Sequence, residues 1–206
     1  MSKERKLSKA EERRKAQLEA LCEEMDKQGY KPVELKIGVL PANVLALVIA
    51  LPFLLIVFVP YVLLHGYPFL PPSSMGLFVI GMLVCIVLHE LIHGLTWSFY
   101  AKDGWKSIEF GVIWQYLTPY CTCSTPMKKG PMILAAIMPT IVLGFIPSVL
   151  GIILGQSLLL LLGVVMIVGG GGDMMIILNI LKYRTEAKEI LFLDHPYEVG
   201  TFVFEK

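Results

Sequence analysis

Four long apolar runs alternate with polar segments along this chain. A hydrocarbon core about 30 Å thick takes about 20 predominantly apolar residues as a helix, and each run is long enough. The first extends from about Pro41 to Leu64, the second from about Met75 to Ala101, the third from about Pro131 to Leu154 and the fourth from about Ser157 to Leu181. Prolines inside the first are tolerated better in a membrane helix than in a soluble one. Only Gly155-Gln156 separates the third run from the fourth, which predicts a tight antiparallel hairpin. Ahead of the runs, Ser8 and Glu11 make a capping box, and Leu18, Leu21, Cys22 and Met25 form one apolar stripe before Gly29 and Pro32 stop the helix. That stripe predicts an amphipathic helix lying at the membrane face or on a neighbour. Between the second and third runs, Ser107 to Trp114 and Gln115 to Thr122 are β-branched and aromatic and predict a hairpin. The expected class is an all-α membrane protein of about four transmembrane helices, with a short cytoplasmic β-hairpin-like loop and an N-terminal cytoplasmic amphipathic helix. It divides into a helix and linker (1–40), a four-span membrane domain (41–181) and a cytoplasmic tail (182–206).

Composition agrees with a membrane as solvent. Of the 206 residues 55% are hydrophobic and 17% charged, and the mean hydropathy is +0.67. Those values exclude disorder and argue against an ordinary soluble domain. The net charge of +1 gives no basis for a nucleic-acid partner. The placement of charge says more. Ten of the eighteen Lys and Arg lie in the first 36 residues, four between Lys102 and Gly130, and four from Lys182 onward, while the connections at His65 to Ser74 and Gly155-Gln156 have none. Every basic residue therefore falls on one side if there are four spans with both termini cytoplasmic. The charged stretch ahead of the first run is too long for a cleavable signal, so that run is expected to act as a signal anchor. The reading is a multi-pass protein in the plasma membrane of a prokaryote. Four cysteines in this setting do not make a disulfide framework.

Ionisable side chains inside a span are costly, on the order of 2.5–3.5 kcal/mol for a central Asp, so each calls for an account. Only the second run, with His89, Glu90 and His93, and the fourth, with Asp173, contain them. His89-Glu90-Leu91-Ile92-His93 is an HExxH sequence. On a helix, positions i and i+4 share a face, so both imidazoles can bind one Zn²⁺ with Glu90 beside them as general base. The bland alternative, a polar pair making interhelical hydrogen bonds, does not require the Glu. Asp173 is the natural third ligand. Lys102 lies eleven residues after Leu91 and Lys182 nine after Asp173, roughly 16 and 14 Å along a helix, so the candidate ligands share a depth. The Gly169 to Gly172 run either serves close packing or lets the helix unwind beside a cavity. Cys121-x-Cys123 reads as structural, and His195 and His65 as surface or packing residues.

His89 to Gly94 (HELIHG), Pro139, Gly172-Asp173 and a tail with Asp194-His195-Pro196 followed by Gly200 together resemble the putative zincin peptidases, small integral-membrane proteins distantly similar to site-2 proteases. The resemblance covers roughly residues 80 to 200. It implies a zinc-dependent intramembrane peptidase with His89 and His93 as the two His ligands, Glu90 as the catalytic Glu and Asp173 as the carboxylate ligand. The larger site-2 proteases carry Asn-Pro-Asp-Gly or Leu-Asp-Gly around that Asp, where this chain has Gly171-Gly172-Asp173-Met174-Met175. The expected activity is hydrolysis of a membrane-associated peptide or protein near the cytoplasmic leaflet, with the lipid bilayer and the embedded substrate as partners. No oligomeric state is read from the chain. Two rivals remain: a non-catalytic zinc-binding protein that presents membrane clients, and a metal transporter. The transporter normally needs a second site or a polar path that the first and third runs do not offer. A free strand edge on the predicted hairpin offers β-augmentation to an extended peptide; the competing role for that loop is to dip into the membrane and seal the site.

Overall fold

The structure, a computed structural model, describes residues 8–36, 39–113, 118–196 and 200–206. Helix α1 (Lys9–Lys27) starts at the expected capping box. The Glu11 N–H donates to Ser8 Oγ at 3.3 Å, and the Ser8 N–H donates to the Glu11 carboxylate at 2.8 Å, which satisfies two amides left over at a helix start. Past its end Gly29 takes φ 86°, a left-handed conformation that favours glycine, and the chain turns into strand β1 (Lys31–Lys36).

The first two apolar runs are helices α2 (Val39–His65) and α3 (Pro72–Ser98). The third is a continuous span, Lys129–Leu154. It comprises α4 (Lys129–Pro139), a wider π-helical stretch (Thr140–Phe145) and α5 (Ile146–Leu154). The fourth run is broken. Helices α6 (Ser157–Gly169) and α7 (Gly171–Lys182) bend by 44° where four successive glycines weaken the helix. Among the described residues, three helices are long and apolar enough to cross a membrane, or four if the bent pair is one span. The chain has the make-up of a multi-pass membrane protein.

Helices α5 and α6 form the expected tight hairpin. Gly155 at the turn has φ 64°, and the Gln156 N–H closes on the Gly151 carbonyl at 2.9 Å. A Cβ at Gly151 would lie 2.6 Å from the Leu160 amide nitrogen, so the helices cross in close contact. Val57 and Tyr61 of α2 bury against Leu160 and Ile167 of α6. The opposite faces stay apolar and exposed: Val84, Leu88, Leu91 and Leu95 make such a stripe along α3.

The all-α expectation needs correction at the chain ends. Strands β1, β4 (Ile190–Asp194) and β5 (Gly200–Glu205) form an antiparallel sheet in the order β1-β5-β4, with Val33 and Phe192 both opposite Val203. Short strands whose partner is some 170 positions away leave little local signal, so the sequence reading sees only a linker and a tail. The α1 stripe, Leu18 and Met25 with Leu21 and Cys22, packs on Leu193, Phe202 and Phe204 of this sheet. The expected hairpin is present as β2 (Ile108–Ile113) and β3 (Thr118–Cys123), with Phe110 opposite Cys121; residues 114–117, on which its turn was expected, lie outside the described residues. A paired Met127–Phe192 bridge ties the segment after β3 to β4. Together these elements cap one end of the helices.

Candidate metal centre

Helix α3 carries His89 and His93 one turn apart on the same face, both buried. Asp173, in the first turn of α7 just beyond the bend, meets them. His89 Nε2 lies 3.1 Å from Asp173 Oδ2 and 3.1 Å from His93 Nε2, and His93 Nε2 lies 3.4 Å from Asp173 Oδ1. Among the described residues these three form a group that can hold a metal ion. A tetrahedral zinc site with ligand distances of about 2.0–2.1 Å separates neighbouring donor atoms by roughly 3.3–3.4 Å. The spacings observed are of that size.

The surroundings fix the two rings. His93 Nδ1 is 2.8 Å from the carbonyl of Ala135 on α4; donating that proton leaves Nε2 as the lone-pair atom facing the group. The Trp97 ring stacks on His93 with centroids 5.4 Å apart. Gly94 decides how the hairpin sits. A Cβ there would lie 2.6 Å from Phe110 Cζ and 2.9 Å from Ile108 Cγ2, so only a bare backbone lets the hairpin rest on α3 next to His93. That seat brings the Cys121 backbone N–H to the Glu90 carboxylate. Glu90 lies outside the His/His/Asp group and is oriented by β3.

The group opens into a cavity of about 250 Å³ whose wall includes Glu90, Trp97, the Pro119–Cys121 stretch of β3, and Asp194. Asp194 stands at the end of β4, hydrogen-bonded to the Thr122 side chain and within electrostatic reach of His93, Asp173 and Glu90. Burial pushes its carboxyl up to about 7, against the opposing pull of His93 and the Thr122 bond. The sequence marks Asp194 only through the Asp194-His195-Pro196 tail of the resemblance, where it and His195 stand as fallback third ligands to Asp173. Trp97, the Ala135 carbonyl and the Cys121 amide have no such mark; the last two are backbone groups that no residue pattern shows.

The other candidates resolve as structural. Cys121 and Cys123 share one face of β3, are free, and pack with Trp97, Met127 and Met132. Burial raises both thiols, that of Cys123 to about 11. His195 is buried, 2.8 Å from Glu34 and packed on Phe202, and His65 Nε2 meets the Ile152 carbonyl at 2.8 Å.

Fold and site thus define a mostly helical, apolar protein whose helices converge on a His/His/Asp group under a small β cap. A family model described as "Putative zincin peptidase" matches residues 82–188, just over half of the chain, and the chain belongs to that family. The matched stretch includes His89, Glu90, His93 and Asp173 and ends before β4. No curated protein and no solved structure matches the chain.

Proposed function

We propose that this protein is a zinc-dependent intramembrane peptidase that hydrolyses a membrane-associated peptide or protein near the cytoplasmic leaflet. The observation that carries the reading is the meeting of His89, His93 and Asp173 from two apolar helices, with Glu90 held beside them by β3. His89, His93 and Asp173 would hold Zn²⁺, which, bound by two neutral imidazoles and one carboxylate, would supply Lewis-acid chemistry at a scissile carbonyl. Glu90 takes the proton of the attacking water and returns it to the leaving amine. The Cys121 N–H keeps the Glu90 carboxylate turned toward the cavity. The Pro119–Cys121 stretch of β3 lines the cavity beside Glu90, where a bound peptide would lie.

The experiment separates the two carboxylates. Asp173→Ala should lose zinc as well as activity, because two imidazoles fall short of the three protein ligands usual in catalytic sites. Glu90→Gln should keep its zinc while cleavage of a membrane-embedded reporter falls at least ~100-fold. Cleavage by Glu90→Gln at the wild-type rate would end the peptidase reading and leave the zinc-binding client presenter in its place. Basic residues flank the spans on one side only, which favours both termini in the cytoplasm of a prokaryotic cell. Reporter fusions at the two ends and at 65–74 test this; an external C-terminus contradicts it.

A further inference from the structure

Pro139 stands buried inside the third span, where α4 gives way to the π-helical stretch. In an α-helix the N–H of residue i donates to the carbonyl of residue i−4, so the amide at 139 is the one that would take the Ala135 carbonyl. Proline has no N–H, and its ring crowds that same carbonyl. The next amide does not replace it, because the Thr140 N–H goes to the Ile137 carbonyl. Ala135 is 0% exposed, so its freed carbonyl needs a partner from a neighbouring helix rather than from water. That partner is His93 Nδ1, at 2.8 Å.

The pairing matters because the other imidazole lacks one. His89 Nδ1 is buried with no hydrogen-bond partner among the described residues. A metal-ligating histidine ordinarily donates its second ring N–H to an acceptor that fixes its tautomer and orientation. In this pair only His93 has such an acceptor, and the acceptor is a carbonyl that a proline releases.

We propose that Pro139 is a positioning residue of the metal centre: by leaving the Ala135 carbonyl without a helical donor, it reserves that carbonyl for His93 Nδ1 and so holds His93 Nε2 toward the ion. The inference rests on the zinc reading of the site and does not depend on proteolysis.

Pro139→Ala tests it, since alanine restores the N–H and continues the helix; Pro139→Gly restores the same N–H and takes its place should the alanine form not fold. Zinc affinity of the full chain in detergent is measured by chelator competition, with thermal unfolding as the check on folding. Pro131→Ala is the control. It adds an N–H in the first turn of the same helix, where amides have no helical acceptor, and the carbonyl four residues back, that of Met127, already takes the Phe192 N–H. Pro139→Ala should bind zinc at least ~10-fold more weakly than wild type, the lower end for losing the partner of a ligating histidine, while Pro131→Ala keeps the wild-type affinity. Nitrogen-edited NMR of the zinc-loaded, histidine-labelled chain gives a second readout: the His93 Nδ1 proton should move upfield in Pro139→Ala as its bond to Ala135 weakens. Unchanged zinc affinity in Pro139→Ala, an equal loss in Pro131→Ala, or weaker zinc with an unmoved Nδ1 proton each overturns the role of Pro139 and leaves the zinc peptidase reading intact. A zinc-loaded wild type that cleaves nothing ends the peptidase reading without touching the role of Pro139. A wild-type chain that takes up no zinc overturns both.

Discussion

The helices and the cap solve the burial problem in opposite ways. In the most apolar windows of α2 and α3 only 17% and 6% of residues are buried inside the protein, and large aliphatic side chains stand exposed along both. In the cap, β5 is buried almost along its length, and Phe192 and Phe204 are among the most completely enclosed side chains of the described residues. The apolar exposed faces of these helices match a membrane solvent, in which packing and a few polar contacts decide association. The cap needs the ordinary water-driven core. The candidate metal centre lies where the two regimes meet: its His/His/Asp group comes from helices, while the groups that orient Glu90 and close the cavity come from strands.

Side-chain truncation should expose that contrast most strongly in the cap. Phe192→Ala is expected to cost about 3–5 kcal/mol, the range for removing a fully buried aromatic ring. Alkylation reports the loss. At pH 8 a thiol held near 11 is roughly one part in a thousand thiolate, so Cys123 should be almost inert in the wild type and react readily in the variant. The sign follows from the upward shift: reactivity in the folded protein rises only as pH approaches the raised value. Equal protection of Cys123 in both proteins would mean that the cap does not depend on this core.

An intermediate effect is expected at the seam. Gly94→Val should cost about 1–3 kcal/mol by overpacking against Ile108 and Phe110 and push the hairpin off α3. Because the Cys121 amide then leaves Glu90, cleavage should fall more than zinc content, and a metal assay beside a cleavage assay reads the split. Parallel losses of both would place the effect on His93 instead. The smallest effect belongs to the exposed apolar stripe of α3. Leu91→Ala, inside the HExxH sequence but exposed, should change thermal stability in lipid by less than ~0.5 kcal/mol. A loss as large as that of Phe192→Ala would show that a protein partner rather than lipid covers this face.

The parts of this protein legible from residue order alone are those set by local periodicity. Run length gives the spans. The i, i+4 spacing puts His89 and His93 on one face, and the cost of an isolated acid in an apolar run singles out Asp173. Ser8 and Glu11 announce their own helix start, and Gly155-Gln156 its turn. What only the tertiary structure decided is non-local or carried by the backbone. The pairing of residues 31–36 with 200–205, the seat of the hairpin on Gly94, the amide of Cys121 at Glu90 and the arrival of Asp194 beside the metal group all depend on segments far apart in the chain. Residue type identifies a ligand because its chemistry is its own; which backbone groups and distant acids surround that ligand is fixed only when the packed layers bring them together.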